Sequence, residues 1–363
     1  MTNALTPIGF DSIKTWASDN HQAALEAFQR SAQEIISQGH CFKRDAAYGG
    51  QREDWLAVCQ SALDTTSARD FFESEFRALR VHDQARPEGL YTGYYEPEAQ
   101  GSLIETSEFQ VPIYAKPDDL VTFAADEIAS SNLTYGQRVN GKPEHYFSRN
   151  EIEHGALKNK GLEICWLKSW VDAFFMHIQG NGRIVLPEGK VIRLSYAAKN
   201  GHPYTGIGSV LLAMGVGTPQ TMSMQLLRNW MADNPSKTRD LLWSNKSFVF
   251  FRTLEIENET LGAIGAGKVN LTPLRSLAVD RSYWQFGTPL FIETNEPPEA
   301  VETNKPFNHL MIAQDTGTAI RGIIRGDVFW GWGDKAALNA GHMKSQGSMV
   351  ALLPHALAKK LIP

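Results

Sequence analysis

The sequence predicts a mainly β protein led by N-terminal helices, and three observations carry that expectation. Apolar residues recur at three- and four-residue spacing between about 11 and 80; after Pro87 they alternate in short runs; and those runs are separated by Gly, Pro, Asn and Asp. At 363 residues the chain exceeds the roughly 250–300 residues at which single cores stop growing, so two domains, or one domain with a large insertion, are expected.

The helical part reads SIKTWASDNHQAALEAFQRSAQEI, EDWLAVCQSAL and TSARDFFESEFRAL. In the second stretch Trp55, Val58, Cys59 and Leu63 share one face, which is a packing pattern. The β part begins with GLYTGYYEPEAQGS and FQVPIYAKP and continues through FFMHIQGNGRIVLPEGKVIRLSYAAKNGHPY, where the glycine of RIVLPEGKVIRLS marks a hairpin. One helical interlude, TPQTMSMQLLRNWMADNP, opens with Thr218 as cap and Pro219 at the first helical position and closes at Asn234-Pro235. KSFVFFRTLEI, PLFIETN, HLMIAQD and GDVFWGWGD then return to strands. A closed barrel is the usual way for such sheets to remove their edges.

Hydrophobic residues are 42% and charged ones 21%, and no apolar run approaches the roughly 20 residues of a membrane span, so no transmembrane segment is expected. A net charge of −5 without a Lys/Arg cluster argues against nucleic acid as a partner. Cys41, Cys59 and Cys165 lack metal or redox spacing and read as small apolar core residues. The opening MTNALTPIGFDSIKTW has no basic start, apolar segment or lipid-attachable cysteine, so no export signal or lipobox is expected.

The chemistry-bearing stretch is AQDTGTAIRGIIRGDVFWGWGD, residues 313–334, with Asp315, Asp327 and Asp334 among glycines and tryptophans. Asp315-Thr316-Gly317 after an apolar strand has the look of an aspartic-protease turn, but that chemistry needs two carboxylates about 3 Å apart, hence a second turn or a dimer. Asp315 equally fits a turn residue bonding its own backbone. Asp327 stands at a strand start beside Val, Phe and Trp, where apolar surroundings would raise a carboxyl pKa as a general acid requires; a plain turn residue is the competing reading. The spacings of the three acids match no calcium loop, and the histidines have no metal spacing, so no metal is expected. Gln179-Gly180-Asn181-Gly182-Arg183 reads as a glycine-rich turn after a strand, and GAIGAGKVN lacks the residues that complete a phosphate loop, so no nucleotide cofactor is expected. His177 falls in that strand as a packing or surface residue. Tyr91, Tyr94, Tyr95, Trp284, Phe286, Trp330 and Trp332 cluster with glycines, a pattern of core aromatics or of platforms that stack on sugar rings.

Taken together, LYTGYYEPE (90–98), FFMHIQGNGRI (174–184), YAAKNGHPYTGIG (196–208), NKSFVFFR (245–252), LTPLRSLAVD (271–280) and the aspartate stretch resemble, in order, the membrane-bound lytic murein transglycosylase A family. The resemblance implies a double-psi β-barrel built from both chain ends, with a second β-rich domain inserted after the T-G-Y-Y motif and glycan in the groove between them. Mapped here, 1–97 carries the helices and the first part of the barrel, 98–243 the insert and 244–363 the remainder. It implies cleavage of the β-1,4 bond between N-acetylmuramic acid and N-acetylglucosamine in peptidoglycan strands, leaving 1,6-anhydro ends, at the periplasmic face of the outer membrane or in the periplasm. Asp327 corresponds to the essential acid, which would then serve as base, and Asp315 to a supporting acid; Asp334 reads as a turn residue. Thr92, Gly93, Tyr94, Tyr95, Gln179, Gly180, Asn181, Asn200 and Trp330 are expected to contact glycan, and Arg183 and Lys199 the carboxylates of peptide stems. A two-carboxylate glycoside hydrolase, a non-catalytic peptidoglycan-binding module and a dimeric aspartic protease remain open beside this reading. Oligomeric state is not assigned.

Overall fold

The computed structural model describes residues 4–362 except 219–220, 257, 298–304 and 318, so Pro219 lies outside the described residues. Strands in chain order are β1 (Leu5–Pro7), β2 (Phe76–Val81), β3 (Gly89–Glu96), β4 (Glu98–Ser102), β5 (Val111–Tyr114), β6 (Val121–Thr122), β7 (Tyr135–Val139), β8 (Lys142–Glu144), β9 (Glu163–Leu167), β10 (Asn181–Val185), β11 (Val191–Lys199) and β12 (Val249–Leu254). They continue with β13 (Ser276–Val279), β14 (Pro289–Asn295), β15 (Pro306–Asp315), β16 (Arg325–Trp332) and β17 (Lys344–Pro354). The helices are α1 (His21–Ser37), α2 (Glu53–Asp64), α3 (Ala68–Glu75), α4 (Ala125–Ser131), α5 (Arg149–Glu151), α6 (Trp170–Gln179), α7 (Ile207–Ala213), α8 (Met224–Asp233), α9 (Pro235–Trp243), α10 (Gly333–His342) and α11 (His355–Leu361). The chain is thus mainly β with several helices. It divides into two units, Met1–Tyr95 with Asn258–Pro363, and Glu96–Glu257.

In the first unit β17, β14, β15, β13, β16 and β3 pair in that order, and β17 also pairs with β3, so six strands close into a ring. Closure leaves the ring without a free edge; β2 and β1 extend the sheet outward from β17. Around the ring β13–β15 is parallel, whereas β13–β16, β14–β15, β14–β17 and β17–β3 are antiparallel. Helix α1, capped by Asn20 accepting from the Ala23 N–H at 3.1 Å, packs its buried Ala24, Phe28, Ala32 and Ile35 beside α2, α3 and β15. Trp55, Val58 and Cys59 of α2 are buried on the expected face, and burying each large apolar side chain contributes roughly 1.5–3 kcal/mol. Phe76–Val81, which the helical periodicity claimed, is instead a strand, because it pairs with β1 on one side and β17 on the other.

The second unit has a six-stranded sheet, β12-β11-β10-β4-β9-β5, and a three-stranded one, β6-β7-β8. Val249–Leu254 pairs with β11, so this unit runs on to residue 257, beyond the expected boundary at 243/244. Gly189, at φ 85°, turns the β10–β11 hairpin. Residues 174–179 were expected in a strand but are helical: the Ser169 hydroxyl caps α6, Gly180 ends it in the left-handed conformation, and the buried face holds Phe174, Phe175, Met176 and His177. The interlude starts later than expected, α8 opening at a Ser223 cap instead of Thr218; it ends at Asn234 as expected, and Pro235 opens a further helix, α9, at its first turn.

One buried ion pair fastens the N-terminal segment to the ring. Asp19 accepts two hydrogen bonds of 2.9 Å from Arg275, one of 2.8 Å from the Leu310 N–H, and lies 3.0 Å from His309 Nδ1. Burial alone would raise this carboxyl, but His309, Arg275 and the Leu310 amide together hold it well below the usual range. Because the folded pKa is depressed, its stabilisation is complete above the unfolded value of about 4 and is lost as pH falls through the folded value. Asp19→Ala is expected to cost about 3–5 kcal/mol at pH 7 in urea denaturation, and less at pH 3; an equal loss at both would exclude the charged pair as the cause.

Candidate active site

Two aspartates are brought to one face of the ring by the strand between them. Ala278 of β13 pairs with Asp327 of β16 on one side and with Asp315 of β15 on the other. Directly paired residues point to the same side of a sheet, and two strand spacings put their Cα atoms roughly 10 Å apart. On the β15 side the register steps from Leu277–Ala313 to Ala278–Asp315, passing over Gln314. This one-residue bulge decides which side chain reaches the site, because a shift of one residue reverses every facing side chain. Gln314 turns into the core, where its amide receives the Ser276 hydroxyl at 2.5 Å and donates to the Ala27 carbonyl at 2.8 Å and the Ser31 hydroxyl at 2.9 Å.

The loop 262–271 covers the bulge. The Gly267 N–H donates to the Gln314 carbonyl at 2.8 Å, and a Cβ at Gly265 or Gly267 would stand 2.8 Å from that same oxygen. The glycines of GAIGAGKVN therefore serve close backbone approach, a requirement that spacing rules for phosphate loops do not test.

The two carboxylates are held differently. Asp315 Oδ1 accepts the Ala266 and Thr316 N–H groups at 3.0 and 2.9 Å, and Oδ2 accepts the Tyr94 hydroxyl at 3.0 Å. Asp327 Oδ1 accepts the Thr92 hydroxyl, and among the described residues Oδ2 has no hydrogen-bond partner. Burial raises both carboxyls above their ordinary value; at Asp327 the Thr92 bond and the Arg325 charge oppose the rise and Asp315 reinforces it, while three donors oppose it at Asp315. Burial and the neighbouring Asp315 also keep the Tyr94 phenol well above its usual range, so it acts as a donor.

Alternation along β3 and β16 sorts the remaining expected residues. Thr92 and Tyr94 share the acid face with Arg325, Asp327 and Phe329, and the Tyr94 and Phe329 rings lie 5.3 Å apart. Gly93, Tyr95 and Trp330 fall on the other face. The Trp330 indole N–H reaches Met343 Sδ at 3.4 Å and its ring lies 5.3 Å from Phe307, while a Cβ on Gly93 would stand 2.6 Å from Trp330 Nε1. Trp330 is thus placed for packing against Gly93 and away from the acids. Asp334 stands in the first turn of α10. Arg325 was missed; its signal was available, two residues before Asp327 and so on the same strand face.

The other expected residues belong to the second unit. Gln179 ends α6, Gly180 is its left-handed cap and Asn181 opens β10 with its side-chain oxygen buried. Arg183 is buried and donates to Glu98 at 3.2 Å. Lys199 is exposed, its ammonium 5.8 Å from the centre of the Tyr135 ring. Asn200 is fully buried, its amide donating to Phe147 and Lys246 carbonyls at 2.9 Å and accepting from the Phe248 N–H at 2.9 Å. Those bonds fasten the end of β11 to neighbouring segments.

Comparison with known proteins identifies the family. Residues 90–252 match the MltA specific insert domain and 275–353 the 3D domain. Membrane-bound lytic murein transglycosylase A of Escherichia coli K12 is 34% identical over 315 residues, spanning 84% of this chain and 77% of the relative. The Vibrio cholerae protein of that name is 30% identical over 71% of this chain and 63% of its own length. Among solved structures, a membrane-bound lytic murein transglycosylase from Agrobacterium tumefaciens superposes with a TM-score of 0.80 at 34% identity over 99% of both chains. MltA from Neisseria gonorrhoeae does so with 0.80 at 31% over 96% and 91%, and E. coli MltA with bound chitohexaose with 0.65 at 28% over 91% and 90%. These matches define a lytic transglycosylase with an MltA specific insert domain followed along the chain by a 3D domain. The chain belongs to the membrane-bound lytic murein transglycosylase A family. No described helix is long and apolar enough to cross a membrane.

Gln314→Leu should strand the buried Ser276, Ala27 and Ser31 partners, at about 1–3 kcal/mol for each unsatisfied group. A urea-denaturation loss under 1 kcal/mol would show that the bulge does not need this anchor.

Proposed function

We propose that the protein cleaves the β-1,4 bond between N-acetylmuramic acid and N-acetylglucosamine in peptidoglycan and leaves a 1,6-anhydro end, with Asp327 as acid and then base. The observation that carries the reading is the inequality of the two carboxylates: Asp315 is saturated by three donors, while Asp327 has one oxygen held by Thr92 and the other open. A buried carboxyl with a raised pKa and an unengaged oxygen suits a general acid. The bound chitohexaose of the E. coli relative supports a β-1,4-linked amino-sugar glycan as ligand, and the relatives' shared name supports murein as the natural polymer.

In the first step protonated Asp327 gives its proton to the glycosidic oxygen as the bond to C1 breaks, through an oxocarbenium-like state. In the second, the muramoyl 6-hydroxyl oxygen attacks C1 and returns a proton to the Asp327 carboxylate. The sum consumes no water and restores the enzyme. An oriented intramolecular nucleophile reaches effective molarities of roughly 10⁵ M or more, above the concentration of liquid water. The second carboxylate of an ordinary glycosidase is not needed as nucleophile. Asp315 instead opposes ionisation of Asp327 by like charge and orients Tyr94 beside the site. By family membership we further propose a double-psi connectivity for the six-strand ring, a periplasmic place of action at the outer membrane, and a role in cell-wall turnover. Thr92 and Tyr94 are the proposed sugar contacts on the acid face; within the insert, Gln179 and Asn181 are proposed glycan-binding residues, and Arg183 and Lys199 proposed partners of peptide-stem carboxylates.

Asp327→Asn is expected to lower release of 1,6-anhydro-muropeptides from sacculi by at least 100-fold, measured by mass spectrometry. Wild-type release by that variant would overturn the assignment, and reducing-end products from the wild type would identify a hydrolase. The rate should fall as pH rises through the Asp327 pKa, which lies above 3.8. Asp315→Asn removes the like charge, so this limb should move to lower pH; a limb that stays in place would separate Asp315 from the acid.

A further inference from the structure

Thr92 links the acid to a cation that does not touch it. Arg325 Nη2 donates to Thr92 Oγ1 at 2.7 Å, and Thr92 Oγ1 in turn donates to Asp327 Oδ1. The guanidinium is held by the Leu90 carbonyl at 3.3 Å and by the Gly326 carbonyl, and it forms no direct ion pair with Asp327 among the described residues. A hydroxyl has one proton and two lone pairs, and arginine offers only donors. With Arg325 occupying a lone pair, the single Thr92 proton is directed to Asp327 Oδ1. An oxygen that accepts this bond is a poor place for the carboxyl's own proton, which therefore resides on Oδ2.

We propose that Arg325 is a positioning residue that, through the Thr92 hydroxyl, places the acid proton of Asp327 on Oδ2, the oxygen facing substrate. This rests on the reading of Asp327 as the acid. One further observation favours direction over simple charge neutralisation. A guanidinium in direct contact with the carboxylate would hold it ionised and spoil the acid; here a hydroxyl stands between them, and burial still carries the carboxyl above its ordinary value. Once the proton has left, the same relay has a second use. The Thr92 bond and the nearby charge stabilise the carboxylate that must next accept the 6-hydroxyl proton, so the relay favours both halves of the reaction.

The groups that face Asp327 from the packed elements are Thr92 and the neutral Tyr94 phenol from β3, Arg325 from its own strand and Asp315 from β15. The test uses the full chain and purified sacculi, with thermal unfolding and circular dichroism to confirm folding. Thr92→Val and Arg325→Met should each lower kcat by about 10- to 100-fold, and Arg325→Met, which removes no proposed sugar contact, should do so with little change in KM, because the relay acts on proton transfer. Thr92→Ser, which keeps the hydroxyl, should recover most of the rate lost in Thr92→Val. Arg325→Met should also move the alkaline limb of the kcat profile to higher pH, since the opposing charge is gone. The double variant should lose little more than Thr92→Val alone, because both removals break one chain. Additive losses, or an unmoved limb with unchanged kcat in folded Arg325→Met, would overturn the proposal. Arg325→Lys decides the case if Arg325→Met fails to fold: keeping the charge without the planar fork, it should retain the wild-type limb yet lose rate. Loss in these variants with an active Asp327→Asn would refute the acid assignment; an inactive Asp327→Asn beside unaffected relay variants would refute only the relay.

Discussion

The acid face of this protein depends on one extra residue in one strand. Without the bulge at Gln314, period-two alternation would set glutamine beside Ala278 and turn Asp315 toward the core. The bulge is kept in place from both sides. Helix α1 receives the glutamine amide through the Ala27 carbonyl and the Ser31 hydroxyl, and a glycine loop binds its carbonyl through Gly267. The helical N-terminus is thereby part of the site's construction although it contributes no residue to it. A buried polar side chain whose hydrogen bonds are all made specifies one register; left half-satisfied it would favour slippage.

The same bulge accounts for the chemical difference between the two acids. Asp315 collects two backbone N–H groups, that of Thr316 just past the bulge and that of Ala266 in the loop that covers it, in addition to a phenol. Asp327 sits in regular antiparallel pairing with β13, where its backbone groups are engaged in the ladder and its side chain meets only what neighbouring strands supply. Both carboxyls are desolvated, yet one is surrounded by donors and the other is not. Differences of this kind divide labour between paired acids on folds unrelated to this one.

Much of the fold was legible in local periodicity. The face of α2 carrying Trp55, Val58 and Cys59, the β10–β11 hairpin turned at Gly189, and the strands through 289–295, 306–315 and 325–332 all follow from apolar spacing and turn residues. Residues 76–81 did not, because their strand state is set by pairing with β1 and β17, which no local window contains. Residues 174–179 failed for the opposite reason: a short apolar run satisfies both periods, and the decision lay in the Ser169 and Gly180 caps at its ends. The ordered motifs singled out Asp315, Asp327, Thr92 and Tyr94, and the fold brings these four to one face. Trp330 was read as a platform from its proximity in sequence to Asp327, but three residues of strand put it on the opposite face. Gln314 was invisible as a site residue because its importance lies in a register step; Arg325 could be placed on the face of Asp327 by strand alternation, but not the direction of the hydrogen bond it sets.

The closure of the ring between β17 and β3 has a consequence for the history of each molecule. Thr92 and Asp327 are 235 residues apart in sequence, and the strand that closes the ring begins only at Lys344. A chain synthesised from its N-terminus cannot assemble the Thr92–Asp327 contact until the second half has been made, nor complete the ring until almost its end. Pairings of such long sequence separation are slow to form, since loop-closure entropy must be overcome before they are rewarded. The cleavage chemistry is therefore withheld from the nascent chain by topology alone: an unfinished or still-unfolded copy has the aspartates but no site.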